Sequence, residues 1–224
     1  MSSADLTNTV DSKDQIKKSF FITDKKLGRP RILFAGNSIT RHAPKSDIGW
    51  SGDWGMAASS KENDYVHQTM RLLHTIFPKA SYAIAQCAEW ERSMDCSYLI
   101  DAKKYDADIV IILLGDNINE QEHNADELCG EFIKLIRFFG SDKAEVFISK
   151  PFMWKKPIVS KAIETAAEQT GAAIMTMDDI GDDIKNRAVG KFEHSGVAAH
   201  PGDIGMLEIA KRIFKYIKKY AIHS

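Results

Sequence analysis

The stretch Arg31-Ile-Leu-Phe-Ala-Gly36 decides the fold, because this short apolar run ends in glycine and is followed at once by the polar pair Asn37-Ser38. A run that is apolar on both faces is typical of a strand buried within a parallel sheet. Similar runs follow at residues 81–86, 109–114, 144–149 and 172–177, each near the usual strand length of about 5–6 residues. The sequence therefore predicts five parallel strands.

Segments with a helical period lie between these runs. The segments after residues 65 and 127 both carry apolar residues at the spacing i, i+4, i+7 and i+11. Strands that alternate with helices imply right-handed crossovers and an open sheet covered by helices on both faces. We therefore expect an α/β fold, with residues 1–30 as a polar N-terminal leader and residues 31–224 as a single domain.

The composition is that of an ordinary globular chain. The 224 residues are 44% hydrophobic and 27% charged, with a formal net charge of -1. This near-neutral balance gives no basic field for nucleic acid, and no apolar run is long enough for a membrane span, so we expect neither partner. The N-terminus has no secretory pattern, which predicts a cytoplasmic protein unless a signal has been removed.

The chain shows no pattern that calls for a metal or another cofactor. Its three cysteines, Cys87, Cys96 and Cys129, are odd in number and lack the paired spacing of a zinc site, so we interpret them as thiols. A zinc-protease helix motif and a phosphate-cradling glycine loop are also missing from the sequence. We therefore expect neither metal nor nucleotide.

Polar residues that a hydrolase could use follow three of the predicted strands. Ser38 comes after the first, Asn117 after the third and His200 beyond the fifth. In open α/β sheets, ligands bind beyond the carboxyl ends of the strands. A serine becomes a nucleophile when a base takes its proton, and the resulting oxyanion needs hydrogen-bond donors. Together the three residues indicate acyl transfer, although singly a serine there is more often a helix cap and a histidine more often structural.

These motifs resemble the blocks of the SGNH, or GDSL-like, hydrolase family. Phe34-Ala-Gly-Asn-Ser-Ile-Thr40 is similar to the first block, Leu114-Gly-Asp-Asn117 to the glycine-x-asparagine block, and His200-Pro201 to the last. The resemblance covers about residues 31–215. It implies a flavodoxin-like three-layer α/β/α sandwich with a five-stranded parallel sheet of order 2-1-3-4-5, and a serine hydrolase that cleaves esters without a cofactor.

The resemblance also implies a role for each matching residue. Ser38 would be the catalytic nucleophile and His200 the general base. The Asn117 side chain and the backbone N–H groups of Ser38 and Ala88 would form the oxyanion hole, where Ala88 aligns with a glycine of the family. Asn37 replaces the family's aspartate before the serine and keeps a short hydrogen-bonding side chain.

The family residue that would orient the catalytic histidine is missing. The family places an aspartate three residues before the histidine, and that position is Val197. Three replacements stay open: a backbone carbonyl near Val197, Glu193, or a carboxylate from another loop. We favour the carbonyl, because carbonyls commonly fix the tautomer of a histidine. Asp203 lies nearer in sequence, but we interpret it as the N-cap of the last helix.

The loop 47–58 is the expected wall of the site. It follows the first strand and holds Trp50, Asp53 and Trp54, and Trp90 after the second strand is expected on the same rim. Indole rings offer flat apolar faces to sugar rings, and the aspartate accepts hydrogen bonds from hydroxyl groups. We predict that these four residues bind substrate, with simple packing of the tryptophans as the alternative.

Several further charged residues allow two interpretations, a role in the site or a structural role. Glu91 and its charged neighbours on the rim either bind substrate or pair with one another. Asp64 and His67 lie three apart on one helix face and could approach the site, although a solvated face is the more common outcome.

The leading hypothesis is a serine esterase that removes short acyl groups, above all acetyl, from a carbohydrate or a related small polar substrate. The acyl part depends on the serine, histidine and asparagine, and the carbohydrate part depends on the tryptophan loop. The alternative is a catalytically impaired carbohydrate-binding or scaffold protein of the same fold. A third reading is hydrolysis of a thioester, an amide or a phospholipid.

Overall fold

Short apolar runs form one central sheet of six strands. The computed structural model describes residues 19–22, 28–141 and 143–223. The strands are β1 Phe20–Ile22, β2 Arg31–Gly36, β3 Ser81–Gln86, β4 Ile109–Leu113, β5 Glu145–Ser149 and β6 Ala173–Met175. Their order is β1-β3-β2-β4-β5-β6, and every pair is parallel except β1 with β3.

The expected order 2-1-3-4-5 is confirmed for the five parallel strands, but the expected count of five is wrong. The sixth strand is Phe20–Ile22, which lies inside the expected leader 1–30 and pairs antiparallel with the outer edge of β3. An edge strand satisfies backbone groups that would otherwise stay unpaired. Three residues are too few to show a period of two in the sequence, so this strand gave no signal.

Helices cover both faces of the sheet. They are α1 Tyr65–Leu73, α2 Trp90–Ser93, α3 Ile100–Lys104, α4 Ala125–Phe139, α5 Pro157–Thr170, α6 Asp178–Asp182, α7 Ser195–Ala198 and α8 Asp203–His223. Single 3₁₀ turns occur at 46–48, 61–63, 97–99 and 184–186. Within the described residues, no helix has the length and apolar character needed to cross a bilayer.

Alternation along the strands divides the core into two layers. Leu33 and Ala35 of β2 face a cluster that includes residues of α4 and α5. Ile32 and Phe34 point to the opposite cluster, formed with residues of α1 and α8. Burying a side chain of this size contributes about 1.5–3 kcal/mol. The two layers therefore hold β2 firmly at the centre of the sheet.

The carboxyl ends of three neighbouring strands meet at one level. Gly36 at the end of β2 is in register with Gln86 of β3 and with Leu113 of β4. Three loops therefore leave the sheet side by side. A Cβ atom at Gly36 would lie 1.9 Å from Thr40 Oγ1, so only glycine allows the chain to fold back so closely there.

Candidate active site

Ser38 lies on a tight turn directly after β2. The N–H groups of Thr40 and Arg41 both donate to the Asn37 carbonyl at 3.0 Å, which closes one helical turn. The Asn37 side-chain oxygen accepts from the Ile39 N–H at 3.1 Å. The Met56 N–H of the loop 47–58 donates to the Ser38 carbonyl at 2.9 Å. These contacts fix the backbone of Ser38 at the edge of the sheet.

The structure brings the predicted serine and histidine together. Ser38 Oγ lies 2.8 Å from His200 Nε2, although 162 residues separate the two in sequence. Both side chains are buried, with 2% of each residue exposed. This distance suits a hydrogen bond between a nucleophile and its base.

A backbone carbonyl holds the other side of the histidine ring. His200 Nδ1 lies 2.7 Å from the carbonyl oxygen of Gly196. Because a carbonyl can only accept, Nδ1 carries the hydrogen and Nε2 turns its lone pair toward Ser38. Of the three replacements that the sequence left open, this contact agrees with the carbonyl near Val197.

The nearby acidic residues do not fill the missing position. Glu193 is exposed, and the Val197 side chain packs in a cluster around Trp50. The Asp203 carboxylate accepts from the Ser59 N–H at 2.8 Å and from the Ser59 hydroxyl at 2.7 Å. The expectation of an N-cap at Asp203 is wrong, since α8 begins at this residue and its side chain ties the helix to a distant loop.

Burial determines the protonation of His200. It lowers the pKa of His200 to about 4, and the Gly196 acceptor opposes this shift only in part. The positive charge of Arg187 acts in the same direction as burial. Trp154 contributes to the enclosure, because its ring lies 5.7 Å from the His200 ring in an edge-to-face arrangement. His200 is therefore neutral, and ready to accept a proton, at every pH well above 4.

A buried carboxylate organises the opposite side of the site. Glu91 is 2% exposed, and its Oε1 accepts from the N–H groups of Gly115 at 2.6 Å and Asn117 at 3.3 Å. The Asn37 side-chain amide donates to the same oxygen at 3.2 Å, and the Asn117 amide donates to Oε2 at 2.6 Å. Burial raises the pKa of Glu91, and these four hydrogen bonds oppose the rise.

This network leaves one donor of Asn117 available. A side-chain amide carries two hydrogens, and the bond to Glu91 uses one of them. The second hydrogen is then free for an oxyanion. Glu91 itself was not among the residues that the sequence assigned to the oxyanion hole, because only the folded chain shows that four donors converge on it.

The Ala88 N–H does not serve as predicted. It donates to the side-chain oxygen of Gln86 at 2.7 Å, while the Gln86 amide nitrogen donates to the Arg41 carbonyl at 3.1 Å. The prediction of Ala88 as an oxyanion donor is therefore wrong in this structure. The amide of Gln86 folds back over its own turn and satisfies the donor two residues later.

Two of the four predicted substrate-binding residues are packed inside the protein. Trp50 is 3% exposed and donates its indole N–H to the His42 carbonyl at 3.2 Å. Trp90 is fully buried and packs edge to face on Phe132, with ring centres 5.1 Å apart. Both predictions are wrong, because the large apolar area of an indole ring favours burial wherever the fold offers it.

The other two predicted substrate residues stay accessible. Trp54 is half-buried and donates its indole N–H to the Ala58 carbonyl at 2.9 Å. The Asp53 side chain is 57% exposed and lies 3.5 Å from the guanidinium of Arg41. Substrate binding by Trp54 and Asp53 stays a prediction.

Trp154 lies beside the Ser38–His200 pair and was not predicted from the sequence. It is half-buried beside His200, and its indole nitrogen has no partner within the described part of the chain. The buried Asp116 accepts from the N–H groups of Met153 at 3.3 Å and Trp154 at 3.4 Å. Burial and the nearby Glu91 raise the pKa of Asp116 to about 7. The available signal was position, since Trp154 follows the carboxyl end of β5.

Comparison with known proteins identifies similar solved structures. No protein-family model matches the sequence, and no curated protein matches it by sequence. The acetylxylan esterase Axe2 from Geobacillus stearothermophilus is 17% identical, with a TM-score of 0.58 over 86% of this chain and 95% of that one. The psychrotrophic esterase EstA from Pseudoalteromonas sp. is 14% identical, with a TM-score of 0.58 over 86% of this chain and 98% of that one.

A third similar structure is part of a larger protein. It is a two-domain esterase, CEX, that is active on acetylated mannans and was co-crystallised with mannopentaose. It is 18% identical, with a TM-score of 0.56 over 84% of this chain and 49% of that one. At such low identity the likeness shows the fold, and it agrees with the sandwich that the sequence motifs imply.

Proposed function

We propose that the protein is a serine esterase that removes acetyl groups from a carbohydrate. The observation that carries this proposal is the 2.8 Å contact between Ser38 Oγ and His200 Nε2, with Nδ1 held at 2.7 Å from the Gly196 carbonyl. A hydroxyl that touches the free lone pair of a neutral, oriented imidazole is an activated nucleophile. The arrangement lies where ligands bind in open α/β sheets.

In the proposed reaction, His200 Nε2 takes the Ser38 proton as Oγ attacks the acetyl carbonyl. The Ser38 N–H and the free hydrogen of the Asn117 amide stabilise the oxyanion of the tetrahedral intermediate. The imidazolium then protonates the sugar oxygen as the ester C–O bond breaks, which leaves acetyl-Ser38. Water then attacks this ester while His200 takes a proton from the water. His200 returns that proton to Ser38 Oγ, so the serine is restored and acetate leaves.

The carbohydrate part of the proposal has separate support. The similar structures include an acetylxylan esterase and an esterase active on acetylated mannans. In this chain, the half-buried rings of Trp54 and Trp154 flank the loop of the nucleophile and the base respectively. Half-buried indole rings form apolar platforms on which uncharged sugar rings can pack.

The substitution Ser38→Ala tests the reaction class. We expect it to lower kcat for p-nitrophenyl acetate by at least ~10³-fold, because no other group replaces the attacking oxygen. Release of acetate from acetylated xylo-oligosaccharide should fall in parallel. Ser93→Ala is the matched control, since Ser93 is an exposed serine on α2. Activity of Ser38→Ala close to that of Ser93→Ala would contradict the proposal.

A second candidate function rests on the lack of a carboxylate that orients His200. The position three residues before His200 is Val197, and no carboxylate of the described residues bonds to His200. This observation favours a carbohydrate-binding protein without turnover. The two candidates differ in one result: a binding protein would hold acetylated xylo-oligosaccharide without releasing acetate, whereas the esterase releases it.

A further inference from the structure

A cavity of about 230 Å³ is lined in part by Arg41, which follows Ser38 by three residues. It is smaller than the 300–1,000 Å³ typical of drug-sized ligands, so its occupant is about as large as one small ring. The cavity is lined by residues of β1, β3, the segment between β2 and α1, and α1. Its polar and indole side chains are Arg41, Asp53, Trp54, Lys61 and His67.

The charges in this cavity favour an anion. Arg41 and Lys61 are cationic, and among the described residues that line the cavity Asp53 is the one carboxylate. The Arg41 guanidinium meets Asp53 through a single nitrogen at 3.5 Å, which is long for a charge-assisted hydrogen bond. Within the described part of the chain, its other N–H groups make no further side-chain ion pair. Its position is fixed, because the guanidinium lies 3.4 Å above the ring of Phe21. A fixed guanidinium fork is a good partner for a carboxylate.

His67 adds an acceptor to the same cavity. Its Nδ1 lies 2.7 Å from Oδ1 of the buried Asp64, and that carboxylate also accepts from the Gly55 N–H at 3.3 Å. The Asp64 carboxylate therefore accepts a hydrogen bond from Nδ1–H and orients the ring. His67 Nε2 is buried and has no hydrogen-bond partner in the described residues. Buried polar atoms are normally paired, so an unpaired one that lines a cavity points to a ligand.

The cations and the unpaired His67 nitrogen together favour one chemical class of ligand. A hydroxyl group can both donate to and accept from a ring nitrogen, so it pairs with His67 Nε2 in either form of the ring. The two cations Arg41 and Lys61, opposed by Asp53 alone among the described lining residues, favour an anionic group on the same ligand, and the half-buried Trp54 offers an apolar ring face. A sugar that carries a carboxylate has all three features. Inorganic phosphate satisfies the cations but offers no ring.

The cavity adjoins the nucleophile through the backbone. Ser38 and Arg41 are three residues apart on one helical turn, where Cβ atoms are about 5–6 Å apart. The Trp54 carbonyl accepts from the His42 N–H at 2.9 Å, and Met56 donates to the Ser38 carbonyl, so both cavity segments flank Ser38. We propose that this cavity binds a uronic acid residue next to the acetylated sugar. The link to catalysis rests on the proposed esterase function.

Direct binding tests the cavity without turnover. In the Ser38→Ala protein, calorimetric titration should show D-glucuronate binding at least ~10-fold more tightly than D-glucose. Arg41→Gln and Lys61→Gln should each remove most of this preference. Lys104→Gln is the control, because Lys104 is an exposed lysine on α3 outside the cavity. Lys61 is itself exposed, so Lys61→Gln keeps the test valid if Arg41→Gln fails to fold.

Three results would overturn the assignment. They are equal binding of glucuronate and glucose, a preference that survives both substitutions, and inorganic phosphate that competes as well as glucuronate does.

The second part of the test measures the hydrolysis of two substrates. The kcat/KM for acetylated xylo-oligosaccharide with a glucuronyl substituent should exceed that of the unsubstituted chain by about tenfold, and Lys61→Gln should abolish the ratio. A ratio of one would overturn the place of the cavity in the substrate site. Failure of the esterase proposal would appear instead as no hydrolysis of p-nitrophenyl acetate, with the titration unaffected.

Discussion

The two sides of Ser38 are organised by different chemistry. On the side of the proposed oxyanion donors, the buried carboxylate of Glu91 accepts four hydrogen bonds and holds Asn117 through both its backbone and its side chain. On the side of the base, His200 is held by the single carbonyl of Gly196. A carboxylate thus positions Asn117, whereas a neutral carbonyl positions His200.

This difference has an electrostatic consequence. A carboxylate beside a histidine favours the imidazolium and raises its pKa, whereas a carbonyl gives a weaker dipolar attraction. Burial therefore dominates at His200 and lowers its pKa. His200 therefore stays neutral in weak acid. In the proposed reaction, the imidazolium formed in each step is stabilised less than it would be in a triad with an acid.

The largest expected effect comes from the carboxylate side. In Glu91→Gln, one oxygen becomes an amide donor that faces other donors, so the Asn117 amide loses its position. We expect kcat for p-nitrophenyl acetate to fall by about 10²–10³-fold with little change in KM, as when one oxyanion donor is lost. The control is Glu89→Gln, the same chemical change on a half-buried residue that makes no contact with Asn117 in the described network.

A double substitution separates positioning from general damage. If Glu91 acts through Asn117, then Glu91→Gln combined with Asn117→Ala should be no more than about threefold slower than Asn117→Ala alone. Multiplication of the two losses would show that Glu91 acts independently of the asparagine. Thermal unfolding of each variant identifies any that fail to fold.

On the side of His200, an acid at the position that the resembled SGNH motif gives to aspartate should not raise the activity. The Val197 side chain is 1% exposed and packs with Trp50, Met56 and Ala188. Val197→Asp places a carboxylate in this apolar cluster, which we expect to cost a few kcal/mol in the free energy of unfolding with no gain in kcat. Val197→Ala measures the loss of packing alone. A faster and equally stable Val197→Asp enzyme would show that the carbonyl is a poor substitute for an acid.

A smaller effect should follow from opening the wall beside the base. Trp154→Ala lets water reach His200, and because burial lowers the pKa of His200, its pKa should rise from about 4 toward the ordinary value. The acidic limb of the kcat/KM profile should move up by about one pH unit. Phe138→Ala, which removes a half-buried ring on α4, should leave the limb in place. An unmoved limb in Trp154→Ala would assign the low pKa to another cause.

The sequence predicted the parts that depend on local pattern. Apolar runs and polar strand ends identified the five parallel strands, and Ser38 and His200 lie in contact as expected. Trp50 and Trp90 show the limit, because a local pattern does not reveal whether an indole ring faces solvent or the core.

Residues that act through distant partners were equally hidden. Glu91 gains its importance from donors on the loops after β2 and β4. Trp154 gains its importance from a histidine 46 positions along the chain, with three helices and strand β6 between them. Such contacts arise only when separate strand ends meet in the folded chain. The sequence alone does not show which distant residues come into contact.

The most direct test of the account is the pH dependence of fluorophosphonate labelling, with the modified residue located by peptide mass. Labelling reports the nucleophile and the protonation of its base in one experiment. We predict a single label on Ser38, with a rate that is half-maximal near pH 4 and constant from about pH 6 to 8, because His200 is neutral there. A label elsewhere, or a half-maximal rate at pH 6.5 or above, would contradict a buried serine–histidine pair held by a carbonyl.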